Sequence, residues 1–287
     1  MIVPLPVVRR AAALAAVLCL AGALGACKGH KSPLPAPGAM DADKFLFDKG
    51  TENLEKKHWL AGREYFRRLF DTYPRSQYRQ QAKLGIGDSY IGEGRIESYI
   101  LGANEFREFL QYFPADPRTD YAQYRLALAL MKQMLGPQRD QTATKDALVE
   151  LDRFRQAYPN SKYKPEVDKL YRETRDRLSD SEFLVGQFHY RSRLYAGAIS
   201  RLQGLLADDP GYTHKDEVYF LLGETYYKAL LLDQALPYYE RLAAEFPESK
   251  RMAEVKKRLA EIKPKSGNTG KSGGDPKSGA NPISRIP

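Results

Sequence analysis

Few side chains in this 287-residue sequence are suited to catalysis, and they do not cluster. The four histidines, His30, His58, His189 and His214, are scattered, and no HExxH pair, GxSxG nucleophile turn or zinc-type cysteine pair accompanies them. Gly270-Lys271-Ser272 has the ending of a phosphate-binding loop, but that loop needs a glycine at position 265, where Lys265 stands. Neither catalytic residues nor a metal-ligand set is expected, and His189, at a helix-packing position, reads as a packed ring. The remaining candidates are the two cysteines, Cys19 and Cys27.

Their surroundings differ in kind. Arg9 and Arg10 precede the apolar run from Ala11 to Leu24, which contains Cys19 and ends on Leu24-Gly25-Ala26-Cys27. A run of 14 residues is short of the roughly 20 that span a bilayer and fits the apolar region of a secretory signal. The small residues before Cys27 resemble the lipobox of bacterial lipoproteins, where cleavage makes the cysteine residue one and lipid, palmitate included, is attached to it. Cys19 leaves with the signal, so the mature chain holds no disulfide. One acyl chain anchors only marginally, whereas two or more hold stably. Lys28 follows Cys27 in place of an aspartate, which by resemblance to enteric sorting favours the outer membrane. The only cofactor-like group expected is this covalent lipid.

The net charge of +9 suggests a nucleic-acid partner, but its distribution does not. Arg9 and Arg10 go with the signal, and Lys28 and Lys31 lie in a proline-rich stretch. Five basic residues face a lone Asp275 from Lys263 onward, which leaves the body with one excess positive charge. No nucleic acid is expected. Residues 1–26 are read as signal peptide, 27–42 as lipidated cysteine and flexible tether, and 263–287, rich in Gly, Pro and Ser, as a disordered tail.

The body repeats itself. "LFDTYP", "LQYFP", "FRQAYP", "LLADDP" and "LAAEFP" end on Pro74, Pro114, Pro159, Pro210 and Pro247, and a proline so placed ends one helix before the next begins. Before Pro247, the positions Tyr219, Leu222, Gly223, Tyr226, Ala235 and Tyr239 match the two helices of a tetratricopeptide repeat (TPR), with small residues where antiparallel helices approach. The same frame gives Gly50, Gly62 and Phe66 in the first unit and Gly186, Ala198 and Leu202 in the fourth. The second (Gly87, Gly102, Phe106) and third (Ala127, Ala147, Leu151) fit with insertions at their internal turns, around 92–98 and 136–144. The fold expected is all-α, an α-solenoid of five TPR-like helix-turn-helix repeats. Uninterrupted helical spacing from Glu166 to Val185 predicts one long helix joining repeats three and four, dividing the body into 43–163 and 164–262.

Such an array offers a groove lined by its first helices, suited to an extended peptide. Helix phase places Phe47, Thr51, Asp88, Tyr121, Tyr124 and Leu128 there, although tyrosines at these positions equally suit packing between units.

The anchor, the repeats and especially "FREFLQYFPADPRTDYAQYRLALA" and "RDQTATKDALVELDRFRQAYPNSKY" resemble the BamD family, lipoprotein subunits of the outer-membrane β-barrel assembly machinery. The resemblance runs from about Lys44 to Pro247 and departs from the family in having Ala127 where glycine is common. It implies a non-enzymatic scaffold on the periplasmic face of the outer membrane. The first three repeats would receive targeting segments of unfolded barrel proteins, and the later ones would hold a BamA-like barrel subunit, with Tyr227 and Lys228 facing that partner and other assembly lipoproteins as further partners. The competing reading is another TPR lipoprotein scaffold of the envelope, in cell division or polysaccharide export. The anchor makes a direct prediction: a Cys27→Ser chain incorporates no labelled palmitate in cells, whereas the unaltered chain does.

Overall fold

The computed structural model describes residues 40–266, and every regular element among them is an α-helix. In chain order these are α1 (Ala42–Glu55), α2 (Trp59–Thr72), α3 (Arg79–Glu93), α4 (Ile96–Tyr112), α5 (Thr119–Met131) and α6 (Thr142–Ala157). There follow α7 (Lys164–Arg191), α8 (Tyr195–Asp208), α9 (Lys215–Lys228), α10 (Leu232–Glu245) and α11 (Met252–Ser266). The signal, Cys27, most of the tether and the tail beyond 266 lie outside the described residues. Contacts divide the chain between Phe45 and Leu46. The first unit contributes residues 40–45, the start of α1, and all packing below belongs to the second.

The proline phrases end helices as their chemistry requires. α2, α4, α6, α8 and α10 each stop two residues before Pro74, Pro114, Pro159, Pro210 or Pro247. The residue preceding each proline has left helical geometry, with ψ between 54 and 77°, because the proline ring excludes the α conformation there. The next helix is started by a side chain two residues after the proline. Ser76, Asp116, Ser161 and Ser249 accept hydrogen bonds from the backbone N–H of Tyr78, Arg118, Tyr163 and Arg251, at 3.1, 2.8, 3.2 and 3.2 Å. Two of these serines also tie neighbouring helix pairs together. Ser161 donates to Asp120 and Ser249 to Asp216, each at 2.6 Å.

At the opposite end, the turns inside the pairs carry a left-handed residue. Lys57, Gly94, Arg193 and Leu230 have φ of 58, 78, 61 and 63°, and each follows Gly50, Gly87, Gly186 or Gly223 by seven positions. At Leu230 the hydrogen bonds Leu230 N–H to Tyr227 O (3.1 Å) and Leu231 N–H to Tyr226 O (2.9 Å) form a Schellman closure.

From α2 onward each helix packs on its successor, and the glycines set how closely. A Cβ on Gly50 or Gly85 would lie 2.6 or 2.4 Å from the Phe66 ring, and one on Gly87 or Gly223 would lie 2.6 Å from Phe106 or Tyr239. Gly186 likewise seats Leu202. In the third pair Ala127 takes the glycine position and Leu151 the bulky one, both fully buried.

The expected insertion around 92–98 is not a loop. Only Gly94 and Arg95 separate α3 from α4, and the additional residues lengthen α4 to 17. Glu93 clamps that tight turn by accepting from Arg63 (2.7 Å), Arg95 (2.6 Å) and Ser98 (2.9 Å). The second insertion is a loop between α5 and α6, closed by the Gln141 amide donating to the carbonyls of Gly136 and Arg139 at 2.9 Å.

Two hydrophobic cores result. The first gathers Phe106, Phe109, Leu126, Leu151 and Phe154, and the second Ile199, Leu202, Tyr219, Leu222 and Tyr239. The 28-residue α7 serves both, giving Val167 and Leu170 to one and setting Phe183 and Tyr190 against the other. Its middle is held by polar bonds. Arg172 donates to both oxygens of buried Asp209, and Ser179 donates to one of them at 2.6 Å. Burial works against the Asp209 charge, but these donors outweigh it and hold the carboxyl below its usual value. Beyond the paired helices, α11 adds Val255 and Ile262 to the second core and runs to Ser266, past residue 263 where the tail was expected to begin.

Two expectations follow. Gly223→Ala, whose methyl meets the Tyr239 ring, lowers stability by about 1–3 kcal/mol in urea unfolding. Asp209→Asn lowers stability at pH 7 by roughly 1–3 kcal/mol by removing the charge that Arg172 and Ser179 bond, while Arg172 keeps Asp176 at 2.9 Å. Because the folded carboxyl titrates below the unfolded value of 3.8, its stabilisation is present above that value and fades as pH falls below it. The difference between the two chains therefore narrows only in that acid range.

Candidate peptide-binding cleft

The first helices of the three amino-terminal pairs, α1, α3 and α5, lie side by side along a cleft of about 540 Å³. Phe47 and Thr51 enter it from α1, Gly85 and Asp88 from α3, and Tyr121 from α5, and Lys162 and Tyr163 close it just before α7. Its apolar wall is built from rings that pack on one another. Phe47 stacks on Tyr78 with centroids 4.9 Å apart and tilts against Phe66 at 5.9 Å.

The polar side centres on Asp88. The Tyr121 hydroxyl donates to its carboxylate, 2.9 Å from both oxygens, and the Arg125 guanidinium approaches to 2.7 Å. Burial pushes the Asp88 carboxyl up, while Arg125 and Tyr121 pull it down. Burial first, and then the Asp88 charge, raise the Tyr121 phenol, so it stays protonated and remains the donor. The rim also carries Gln81, Arg118 and Asp120, so donors and acceptors border an apolar wall.

Of the six residues expected in a groove, Phe47, Thr51, Asp88 and Tyr121 line this cleft. Tyr124 and Leu128 do not. Tyr124 lies flat on Tyr163, with centroids 5.3 Å apart and planes at 9°, and Leu128 packs against the first core. Thr51 donates its hydroxyl to the Phe47 carbonyl of its own helix at 3.0 Å. Tyr163, which touches both Tyr121 and Tyr124, escaped the sequence reading. Its signal is the phrase Pro159-Asn160-Ser161-Lys162-Tyr163, which repeats Pro74-Arg75-Ser76-Gln77-Tyr78 and its stacking tyrosine.

The two residues expected to face a partner have different surroundings. Tyr227 donates to Glu261 of α11 at 3.0 Å and lies beneath Arg258, 4.2 Å from its ring centre. Lys228 is exposed. Arg258 in turn bonds Glu224, at 2.6 and 3.0 Å, and Tyr239 donates to Glu224 at 2.7 Å. Among the described residues no group of His, Cys, Asp and Glu could hold a metal ion, and no helix is long and apolar enough to cross a membrane.

The sequence profile of the YfiO family, described as outer membrane lipoprotein, matches residues 39–235. Outer membrane protein assembly factor BamD of Caulobacter vibrioides is 26% identical over 228 residues, covering 79% of this chain and 73% of its own. The BamD of Rickettsia prowazekii is 26% identical over 242 residues, 83% of this chain and 92% of its own. Among solved structures, the MamA protein aligns with 78% of this chain and 96% of its own at 14% identity and a TM-score of 0.33. The YfiO profile covers well over half of the sequence and takes in the whole of the cleft, and the chain belongs to the YfiO family of outer membrane lipoproteins.

Proposed function

We propose that the protein is a non-enzymatic scaffold of outer-membrane protein assembly, anchored through lipid on Cys27 and facing the periplasm. In this reading the cleft takes an extended targeting segment of an unfolded barrel protein. The carboxy-terminal helix pairs hold the barrel-forming subunit, a BamA-like protein, with other assembly lipoproteins as further partners.

The observation that carries this reading is the make-up of the cleft. Phe47 and Phe66 offer an apolar wall for a side chain, while Asp88, Asp120 and Gln81 bring polar groups to the same cleft, the combination an extended peptide uses. A peptide held in this way leaves its chemistry unchanged, which suits a protein that passes a chain on. The names of the relatives, assembly factors of outer membrane proteins, support the same class of client.

A photo-crosslinking amino acid in place of Thr51 or Gln81, introduced in cells, is expected to capture unfolded outer-membrane barrel proteins. The same group in place of Val149, exposed on α6, captures few or none. Phe47→Ala is expected to reduce the cleft adducts by about tenfold, the loss of one buried aromatic contact. Equal capture from Val149, or cleft adducts that contain no barrel proteins, would overturn the assignment.

A further inference from the structure

A second surface, far from the cleft in sequence, has its own chemistry. The turns α7–α8 and α9–α10 lie at the same end of their antiparallel helices and expose three large apolar side chains: Phe188 (64%), Leu194 (53%) and Leu230 (84%). Arg191, Arg193 and Lys228 stand exposed between them. Neither arginine side chain has a hydrogen-bond or ion-pair partner among the described residues. No aspartate or glutamate occurs in residues 188–196 or 227–232.

At the other end of the same helices the acids are matched by cations, Asp209 by Arg172 and Glu217 by Arg251 at 2.9 Å. Residues 207–217, the turn from α8 to α9, hold Asp208, Asp209, Asp216 and Glu217 against Lys215. The cations of the α7–α8 and α9–α10 turns have no acid within those turns, and a negatively charged surface attracts this end.

The long helix also makes the basic end prominent. Arg177 of α7 donates to the Leu135 carbonyl at 3.1 Å, so at that residue α7 is level with the α5–α6 loop. From Arg177 to Arg191 it continues for about 20 Å at 1.5 Å per residue. The α7–α8 turn thus stands well beyond the corresponding loop of the third pair.

We infer that the edge formed by Phe188, Arg191, Arg193, Leu194, Lys228 and Leu230 docks on an anionic phospholipid surface. The arginines and the lysine meet headgroup phosphates, and the three apolar side chains enter the boundary beneath them. This contact is independent of the lipid on Cys27 and of what occupies the cleft. It fixes which end of the carboxy-terminal pairs faces the bilayer, which an acyl chain on a tether cannot do.

The test uses the chain from residue 27 to 287 carrying Cys27→Ser, so that neither attached lipid nor the apolar run of residues 11–24 carries it to the membrane, in flotation with vesicles containing phosphatidylglycerol and with vesicles of phosphatidylcholine alone. Preferential flotation with the anionic vesicles, weakened by salt, is expected. Arg191→Glu, Arg193→Glu and Lys228→Glu together reduce it at least about tenfold. Phe188→Ser with Leu230→Ser reduces it severalfold while leaving the salt dependence in place. All six positions are exposed, and thermal unfolding confirms that the variants remain folded. Equal flotation of the triple variant, or no preference for anionic vesicles, would overturn the inference. So would a triple variant that floats normally but loses a protein in affinity purification, which would assign the edge to a protein partner.

Discussion

The solenoid depends on one steric arrangement, a bulky side chain from the second helix of a pair resting where the first helix has no side chain. Glycine inside a helix costs about 1 kcal/mol relative to alanine, and the close approach it permits offsets that cost by burying a whole ring. Phe66 makes the arrangement cumulative, because Gly50 and Gly85 come from two successive first helices and share it. The same register reaches the turn. The left-handed residue follows the glycine by seven positions in four of the pairs, and at three of them it is lysine, arginine or leucine. A conformation that favours glycine is imposed there by the packing below it.

Polar bonds add selectivity to this packing. Asp120 with Ser161 and Asp216 with Ser249 are the same bond at equivalent places in the two halves, each joining the start of one helix to the turn that begins the next pair. The buried acids Asp209 and Glu224 are both met by arginine and by a hydroxyl, from Ser179 and Tyr239 respectively. A slipped stacking of helices would leave these carboxylates buried without their donors, so the bonds penalise the wrong register more than they strengthen the right one.

Much of the fold is legible in sequence because its rules are local. A proline ends a helix wherever it falls, and the five phrases mark five helix ends correctly. The length of α7 is legible for the converse reason, since nothing between Glu166 and Val185 stops a helix. The second-pair insertion is misread because spacing alone does not distinguish a loop from added helix, and the Glu93 clamp that decides the matter joins residues 30 positions apart. α11 has apolar spacing at Met252, Val255, Leu259 and Ile262, but no proline phrase follows to mark it as an element. In the cleft, helix phase finds Phe47, Thr51, Asp88 and Tyr121. It fails for Tyr124, whose partner Tyr163 lies 39 positions away across a complete helix.

The two cores share α7 and little else, which has a mechanical meaning. Between Leu170 and Phe183 this helix is held by polar bonds, from Arg172 and Ser179 to Asp209 on one side and from Arg177 to the Leu135 carbonyl on the other. A bend of about 5° at Arg177 would carry the α7–α8 turn roughly 2 Å sideways, given the 1.5 Å rise per residue. The bonds of Arg177, Arg172 and Ser179 resist such a bend, so the exposed edge at the α7–α8 turn keeps its place relative to the third pair.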